Sequence, residues 1–246
     1  MEERFFTEPS YYGMVYVFRD RWEAGQRLGT WLRELGVSAS VVYGIPAGGV
    51  PVAYAVAEAL GSKLDVLVCR KVLIPWNREA GFGAVAPNGW YFVDWGLARY
   101  LGISRSGVEE AVKEQLAEVE RRLKKYRCGE PYRDLGGGTV VVVDDGVAAG
   151  YTMTAAVKFL RDRGAGEVLV AVPTCHEDSA LALLERGASR VYCLNARGGP
   201  VYAVADAYVE WRDLEDEDVL GVLRAAKKKG LLAYRGECLE GGAAAN

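Results

Sequence analysis

The chain has 246 residues, of which 50% are apolar and 26% charged, so it is long enough for one large or two small globular domains with a sizeable core. Its formal net charge of -3 gives no general basic field for nucleic acid, and no run of about 18 apolar residues predicts a membrane-spanning helix. A single histidine, His176, excludes metal sites that need two histidines, such as the H-E-x-x-H motif.

The chain start and the cysteines both favour a cytoplasmic protein. The first ten residues, MEERFFTEPS, carry acidic side chains and no apolar h-region, so no signal peptide is expected. The 5 cysteines are scattered and odd in number, and none forms a C-x-x-C pair. They are therefore expected to be reduced thiols of the core.

The first 69 residues predict the beginning of a parallel sheet. Residues 1–13 are interpreted as an irregular arm rich in aromatic side chains. Apolar residues at helical spacing then predict a helix from Asp20 to Leu35. A strand at Ser40–Gly44, a glycine-rich turn, a helix at Val52–Leu60 and a strand at Leu64–Cys69 follow. The order strand, turn, helix, strand is typical of α/β folds.

Residues 70–95 differ, because proline, asparagine and glycine interrupt them repeatedly. Within them, residues 83–85 and 90–93 predict a β-hairpin around Pro87-Asn88-Gly89. A loop this long inside a compact domain is usually functional or mobile. The clearest helix of the chain follows at Ser104–Tyr126, where the charged residues beside an apolar stripe predict a solvated face.

The stretch from Val140 to Thr154, VVVVDDGVAAGYTMT, dominates the second half of the chain. Its valines predict a parallel strand buried on both faces, and Asp144 and Asp145 end that strand. A turn of small residues then opens a helix, whose free N–H groups and dipole favour a phosphate. Two carboxylates suit hydroxyl groups. The stretch therefore predicts a ligand with a sugar diol at one end and a phosphate at the other.

The rest of the chain continues the alternation of strands and helices. Strands are predicted at Glu167–Val172 and Arg190–Leu194, and helices at Ala180–Glu185 and Asp216–Lys229. The residues from Gly236 onward are expected to be frayed.

The pattern at 140–154 resembles the signature that binds 5-phosphoribosyl 1-pyrophosphate (PRPP) in type I phosphoribosyltransferases. The resemblance implies that Asp144 and Asp145 hold the ribose hydroxyls. It also implies that the 5′-phosphate is bound by the residues of the following turn and helix start: Ala148, Ala149, Gly150, Tyr151 and Thr152. Ala149 stands where the family commonly has threonine, and Ala148 where some purine enzymes carry an aspartate base. A receiver-like or flavodoxin-like sheet is the alternative, but a receiver has its acid pair after the first strand, whereas here the pair lies mid-chain.

Two upstream segments support the resemblance. The turn between the strand at Ser40–Gly44 and the next helix resembles the pyrophosphate loop of the family, in which N–H groups of Gly48 and Gly49 approach the phosphates. Ala47 stands where relatives often have arginine or lysine. Arg70 and Lys71 occupy the place of the basic pyrophosphate ligands, or form a solvated strand end.

The resemblance implies a doubly wound, mostly parallel α/β sheet with a mobile β-hairpin loop and a small hood. It predicts a single domain over residues 14–235, with a core over 36–195, a hood from 1–20 and 196–215, a mobile loop at 70–95 and a frayed tail at 236–246.

The implied reaction transfers ribose 5-phosphate from PRPP to a nitrogenous base, with a purine weakly favoured, and releases pyrophosphate. Mg²⁺ is expected to bind mainly through PRPP, without a metal site made by the protein alone. The expected partners are PRPP and a nucleobase, with neither nucleic acid nor membrane, and the chain is expected to form a homodimer or a higher homo-oligomer. The alternative is a regulatory protein on the same fold that binds PRPP or a nucleotide with little catalytic activity.

Four residues are the candidate catalytic groups: Asp144, Asp145, Lys71 and Glu79. Glu79 is equally consistent with a surface charge on the loop. Three aromatic residues either stack the base or belong to the core: Tyr202, Tyr208 and Trp211. His176 is interpreted as a surface or helix-capping residue.

Overall fold

The computed structural model of the protein describes residues 4–240, except for the side chains of residues 78 and 79. The strands are Phe5–Thr7 (β1), Val41–Gly44 (β2), Lys63–Val66 (β3), Arg70–Ile74 (β4), Asn77–Val85 (β5), Tyr91–Val93 (β6), Thr139–Val143 (β7), Glu167–His176 (β8) and Arg190–Arg197 (β9). The helices are Arg21–Glu34 (α1), Gly49–Leu60 (α2), Trp95–Tyr100 (α3), Arg105–Arg127 (α4), Tyr151–Asp162 (α5), Glu177–Glu185 (α6) and Asp216–Lys228 (α7). None of these helices is long and apolar enough to cross a membrane.

Six strands form the main sheet in the order β1-β9-β8-β7-β2-β3, and every neighbouring pair is parallel. This confirms the predicted doubly wound α/β fold. The connection after β2 leads to β3 on one side, whereas the connection after β7 leads to β8 on the other. The crevice between the carboxyl ends of β2 and β7 is therefore the switch point at which open α/β sheets bind their ligands.

Strand β7 is the centre of the core, because its valines alternate between two helical layers. Val141 and Val143 belong to the layer that contains apolar residues of α1, α2, α4 and α7. Val140 and Val142 belong to the layer that contains those of α5 and α6. All four side chains have 0% exposure. An unbroken run of valines is the pattern that a strand covered on both faces requires.

The amino-terminal arm is more regular than expected. Residues Phe5–Thr7 form β1, which pairs in parallel with β9 at the edge of the sheet. The Phe6 ring stacks on Tyr192 with the centroids 4.9 Å apart. The prediction of an irregular arm is therefore wrong for these residues, because a strand of 3 residues is too short to show a period of two.

Residues 70–95 contain the predicted hairpin and one strand more. Strands β5 and β6 pair in antiparallel fashion around the turn at 87–89, and β4 adds a third strand. Phe82, Val72 and Val85 have 0% exposure, so the base of this small sheet belongs to the core. A Cβ on Gly83 would lie 2.2 Å from the Phe92 carbonyl oxygen, which explains a glycine inside a strand. Mobility of the segment stays a prediction.

The carboxyl-terminal segment is bound to the domain as far as it is described. Cys238 forms a disulfide with Cys128 at the end of α4, and Leu239 is buried in the neighbouring 3-10 turn. The predictions of reduced thiols for these two cysteines and of a frayed segment over 236–240 are therefore wrong. Their separation of 110 residues hides the proximity from any local pattern. The other three cysteines are free and buried, and residues 241–246 lie outside the described residues.

The double variant Cys128→Ser with Cys238→Ser is expected to lower the free energy of unfolding by about 4 kcal/mol, because the bridge restricts a long loop of the unfolded chain. Urea unfolding with and without a reductant measures this. Reductant is expected to bring the wild type to the midpoint of the variant and to leave the variant unchanged. Equal midpoints for the oxidised wild type and the variant would contradict a stabilising bridge.

Candidate active site

Two aspartates stand at the carboxyl end of β7, where the switch point opens. The Asp145 backbone N–H donates to Asp144 Oδ1 at 2.9 Å, and both side chains are half-buried. Burial raises the pKa of the Asp144 carboxyl well above its usual range, and the negative charge of Asp145 raises it further. The positive charge of Lys71 opposes this shift in the Asp144 pKa. The folded structure therefore favours the protonated form of Asp144.

The turn between β2 and α2 lies directly against these acids. Gly44 of β2 is in register with Val143 of β7, so the two strands end side by side. A Cβ on Gly48 would lie 1.8 Å from Asp145 Oδ2, and one on Gly49 would lie 2.7 Å from the Asp144 Cα. Only glycine permits this contact at both positions. Since α2 begins at Gly49, its first N–H groups also lie at this edge.

The turn after the acids ends at the start of α5. Gly150 has φ +76° and is the residue before the helix, a conformation that glycine adopts without strain. No side chain in the described part of the chain caps this helix start, and Ala148 and Ala149 are exposed. The first N–H groups of α5 are therefore available to an anion. The structure places the predicted phosphate residues together at this position.

The cations come from β4 and α4. Arg70 and Lys71 both line the cleft, and the Arg70 Nε donates to the buried Gln115 at 3.3 Å. Burial lowers the pKa of Arg70, and the nearby charge of Arg122 lowers it further. Arg122 also lines the cleft and forms an ion pair with Glu118 at 2.8 Å. Sequence reasoning missed Arg122, because its helix face is otherwise a solvated row of charges.

Arg21 is the second residue that the sequence did not assign to the site. It is the first residue of α1, and its Nε donates to Asp145 Oδ2 at 2.7 Å. Its Nη1 donates to the Arg212 carbonyl at 2.8 Å, and its guanidinium lies 3.8 Å from the Trp211 ring centroid. A separation of 124 residues from Asp145 leaves no local signal for this pairing.

Only one of the three predicted base-stacking residues lines the cleft. Trp211 does so, together with Val204. Tyr208 is 1% exposed, and its hydroxyl donates to the Asp145 carbonyl at 2.6 Å. Tyr202 instead lies beside Thr174, with the two hydroxyl oxygens 3.1 Å apart, and packs on Arg197. Tyr208 therefore belongs to the core, the alternative that the sequence left open, and Tyr202 does not line the cleft. Aromatic composition alone could not separate the two roles.

Two further predicted residues lie outside this constellation. The side chain of Glu79 lies outside the described residues, so its predicted role stays a prediction. His176 directly precedes α6, and its Nε2 lies 3.0 Å from the Gly199 carbonyl oxygen. This position is consistent with the expected place at a helix start.

Together these elements enclose a cleft of about 610 Å³ at the switch point. The acid pair forms part of its wall. The glycine turn, the open start of α5 and the cations of β4 form the rest, and Arg21 and Trp211 close one side. The cleft thus offers carboxylates for hydroxyl groups, and helix N–H groups and cations for phosphates.

Comparison with known proteins finds one matching family model and related sequences. Residues 23–191 match the family model described as "Phosphoribosyl transferase domain". The chain is 36% identical over 212 residues to "Putative phosphoribosyl transferase Rv0571c" of Mycobacterium tuberculosis (strain ATCC 25618 / H37Rv). The aligned region covers 86% of this chain and 47% of that protein. "Putative phosphoribosyl transferase MT0597" of strain CDC 1551 / Oshkosh matches with the same values. The chain thus spans about half the length of the curated relatives it matches.

A solved structure extends the similarity to three dimensions. The crystal structure of TT1426 from Thermus thermophilus superposes with a TM-score of 0.66 at 37% sequence identity. The match covers 84% of this chain and 97% of that one.

Gly48→Ala is expected to weaken, at least about tenfold, the affinity of the cleft for two probes, ribose 5-phosphate and PRPP, because the new methyl group would displace the Asp145 carboxylate or the turn. Isothermal titration calorimetry measures the two affinities. Gly221→Ala is the matched control, since nothing lies within 4 Å of a Cβ at that position in α7. Wild-type affinities in Gly48→Ala would show that the close contact does not matter for binding.

Asp144→Asn is expected to raise the free energy of unfolding near neutral pH by about 1 kcal/mol. The folded protein holds the Asp144 proton at higher pH than the unfolded chain does, because its pKa is raised from 3.8. Ionising this carboxyl therefore costs stability as the pH rises above that value. Thermal unfolding from pH 3 to pH 8 measures the gain, which should vanish in acid. A variant less stable than the wild type at pH 8 would contradict the raised pKa.

Proposed function

We propose that this chain, which belongs to the phosphoribosyl transferase domain family, transfers ribose 5-phosphate from PRPP to a nitrogenous base and releases pyrophosphate. One observation carries the proposal: Asp144 and Asp145 stand between the glycine turn and the open start of α5 in a single cleft. That order of groups suits a ligand with a diol between two phosphate ends.

The sugar end of PRPP would be held by the end of β7 and the start of α5. Asp144 and Asp145 would accept hydrogen bonds from the ribose hydroxyls. The N–H groups at the start of α5 would bind the 5′-phosphate, where Ala149 contributes its backbone alone. Holding both ends of the sugar fixes the reacting carbon relative to an acceptor, so orientation supplies much of the rate.

The other end of the cleft would stabilise the leaving group. As the bond from C1′ to pyrophosphate breaks, the carbon gains positive charge and the pyrophosphate oxygens gain negative charge. Arg70 and Lys71 and the N–H group of Gly48 would stabilise that negative charge. The Gly49 N–H instead donates to the Ile45 carbonyl at 3.0 Å.

Magnesium is proposed as the metal partner of PRPP. Among the described residues, no group of three or more histidine, cysteine, aspartate or glutamate side chains could hold a metal ion by itself. Mg²⁺ commonly binds to proteins through one or two carboxylates, together with phosphate oxygens of the substrate and water. Asp144 or Asp145 would supply the carboxylate, and the ion would add positive charge beside the phosphates.

The acceptor base would rest on the wall that contains Trp211 and Val204, and we propose a purine. Glu79 stays the candidate for a group that takes a proton from the base. Ala80 and Gly81 of β5 line the cleft, so a movement of the β4–β5 hairpin over the ligand would exclude water, which competes as a nucleophile.

A regulatory protein that binds PRPP or a nucleotide is the second candidate. It is favoured by the ion pair between Arg21 and Asp145 and by the alanines at 47 and 149, which remove a charge and a hydroxyl group from the phosphate sites. Binding without turnover would distinguish it from an enzyme.

The test mixes the protein with PRPP, Mg²⁺ and a panel of purine and pyrimidine bases, and measures both pyrophosphate and nucleotide. Stoichiometric formation of the two with a purine is expected. Asp144→Asn combined with Asp145→Asn is expected to keep the fold but to abolish PRPP binding. PRPP binding without product from any base would favour the regulatory protein. Unchanged PRPP affinity in the double variant would show that the acid pair does not hold the sugar.

A further inference from the structure

We propose that Arg21 is a positioning residue that joins the sugar-binding acid pair to the acceptor wall, defined here as residues 211–214, so that the two sites respond to each other. The inference rests on the proposed function, because it assigns PRPP to the acid pair. It starts from the three contacts of one guanidinium, one to the acid pair and two to the acceptor wall.

The first contact holds the acid pair. Arg21 is 8% exposed, and Asp20 caps the start of its helix by accepting from the Glu23 N–H at 2.8 Å. The Arg21 Nε then meets Asp145 Oδ2 at 2.7 Å. A Cβ on Gly48 would lie 3.0 Å from that Nε, so the glycine turn packs against the same ion pair. The carboxylate of Asp145 is thus fixed from two sides.

The other two contacts hold the acceptor wall. The Arg21 Nη1 donates to the Arg212 carbonyl, and the guanidinium plane covers the Trp211 ring at 3.8 Å. Residues 211–215 belong to neither a helix nor a strand, so no regular helix or sheet hydrogen bonds fix the position of their backbone. Trp211 is 38% exposed and lines the cleft, so its position shapes the space for an acceptor.

A second link runs in parallel with the first. The hydroxyl of the buried Tyr208 donates to the carbonyl of Asp145, and its ring lies 5.2 Å from the Trp211 ring. Displacement of Asp145 is therefore transmitted to the acceptor wall both through Arg21 and through Tyr208. A ligand that orders the Asp145 carboxylate is expected to order residues 211–214 as well.

Lysine and glutamine separate the two roles of Arg21. A lysine ammonium keeps the charge beside Asp145, but it has no planar fork with which to cover an indole and bind a carbonyl at the same time. Glutamine keeps neither the charge nor the fork. Arg21→Lys should therefore release the acceptor wall while retaining the sugar site, whereas Arg21→Gln should damage both.

The experiment combines calorimetric PRPP binding in Mg²⁺ with hydrogen exchange of the backbone amides at 211–215. In the wild type, PRPP is expected to slow exchange there at least about threefold. Arg21→Lys is expected to bind PRPP within about threefold of the wild type and to lose the part of that protection that Arg21 transmits, so that PRPP slows exchange less than in the wild type. Arg21→Gln is expected to bind PRPP at least about tenfold more weakly. Arg33→Gln on the exposed face of α1 is the control and should match the wild type in both measurements.

The outcomes separate this inference from the proposed function. If the wild type binds no PRPP, the proposed function fails. A comparison of hydrogen exchange at 211–215 between Arg21→Lys and the wild type, both without PRPP, then still tests whether Arg21 fixes the acceptor wall. Faster exchange in the variant is expected. If the wild type binds PRPP and Arg21→Lys shows the same protection, the coupling through Arg21 is wrong. Thermal unfolding checks that each variant folds, and Arg21→Lys decides the question if Arg21→Gln does not fold.

Discussion

The contact between the glycine turn after β2 and the two aspartates after β7 is the constraint on which the rest of the site depends. Parallel pairing in register brings both strand ends to one edge, and the backbone of one loop then touches the carboxylates of the other. No side chain fits between them, so the sequence must have glycine at 48 and 49. This contact makes the switch point narrow, and it places the starts of α2 and α5 on either side of one acid pair.

That arrangement concentrates negative charge at a half-buried position. Cationic side chains from separate elements of the surrounding structure compensate for it. Arg21 neutralises Asp145 directly, and Lys71 acts on Asp144 from β4. Burial outweighs the opposing charge of Lys71, so the pKa of Asp144 stays above its usual range. A site that retains such a cost is typical of functional regions, where stability is lower than the sequence would otherwise permit.

The sequence predicted those parts of the fold that depend on local patterns. The valine run of β7 was sufficient to predict a strand buried on both faces, and the spacing of apolar residues was sufficient to predict α1 and α4. Each kind of burial gives apolar residues a distinct spacing along the sequence. The acids, the glycine turn and the β4 cations were found by their order along the chain, and the structure brings them into one cleft. The pairing of Arg21 with Asp145 and of Cys128 with Cys238 was out of reach, because each joins residues more than one hundred positions apart. Tyr208 and Trp211 are both aromatic and lie three positions apart, and only the packing of their segment decides which one lines the cleft.

The bridge between Cys128 and Cys238 divides the main sheet into strands inside and strands outside one covalent ring. The covalent ring that it closes contains β7, β8 and β9, which are the inner neighbours of one another, whereas β2, β3 and β1 lie outside it on the two flanks. The ligand cleft lies on the seam between the ring and one open flank, since Asp144 belongs to the ring and Gly48 does not. Binding therefore requires that the ring stay packed against β2, because the bridge itself does not join the two halves of the cleft.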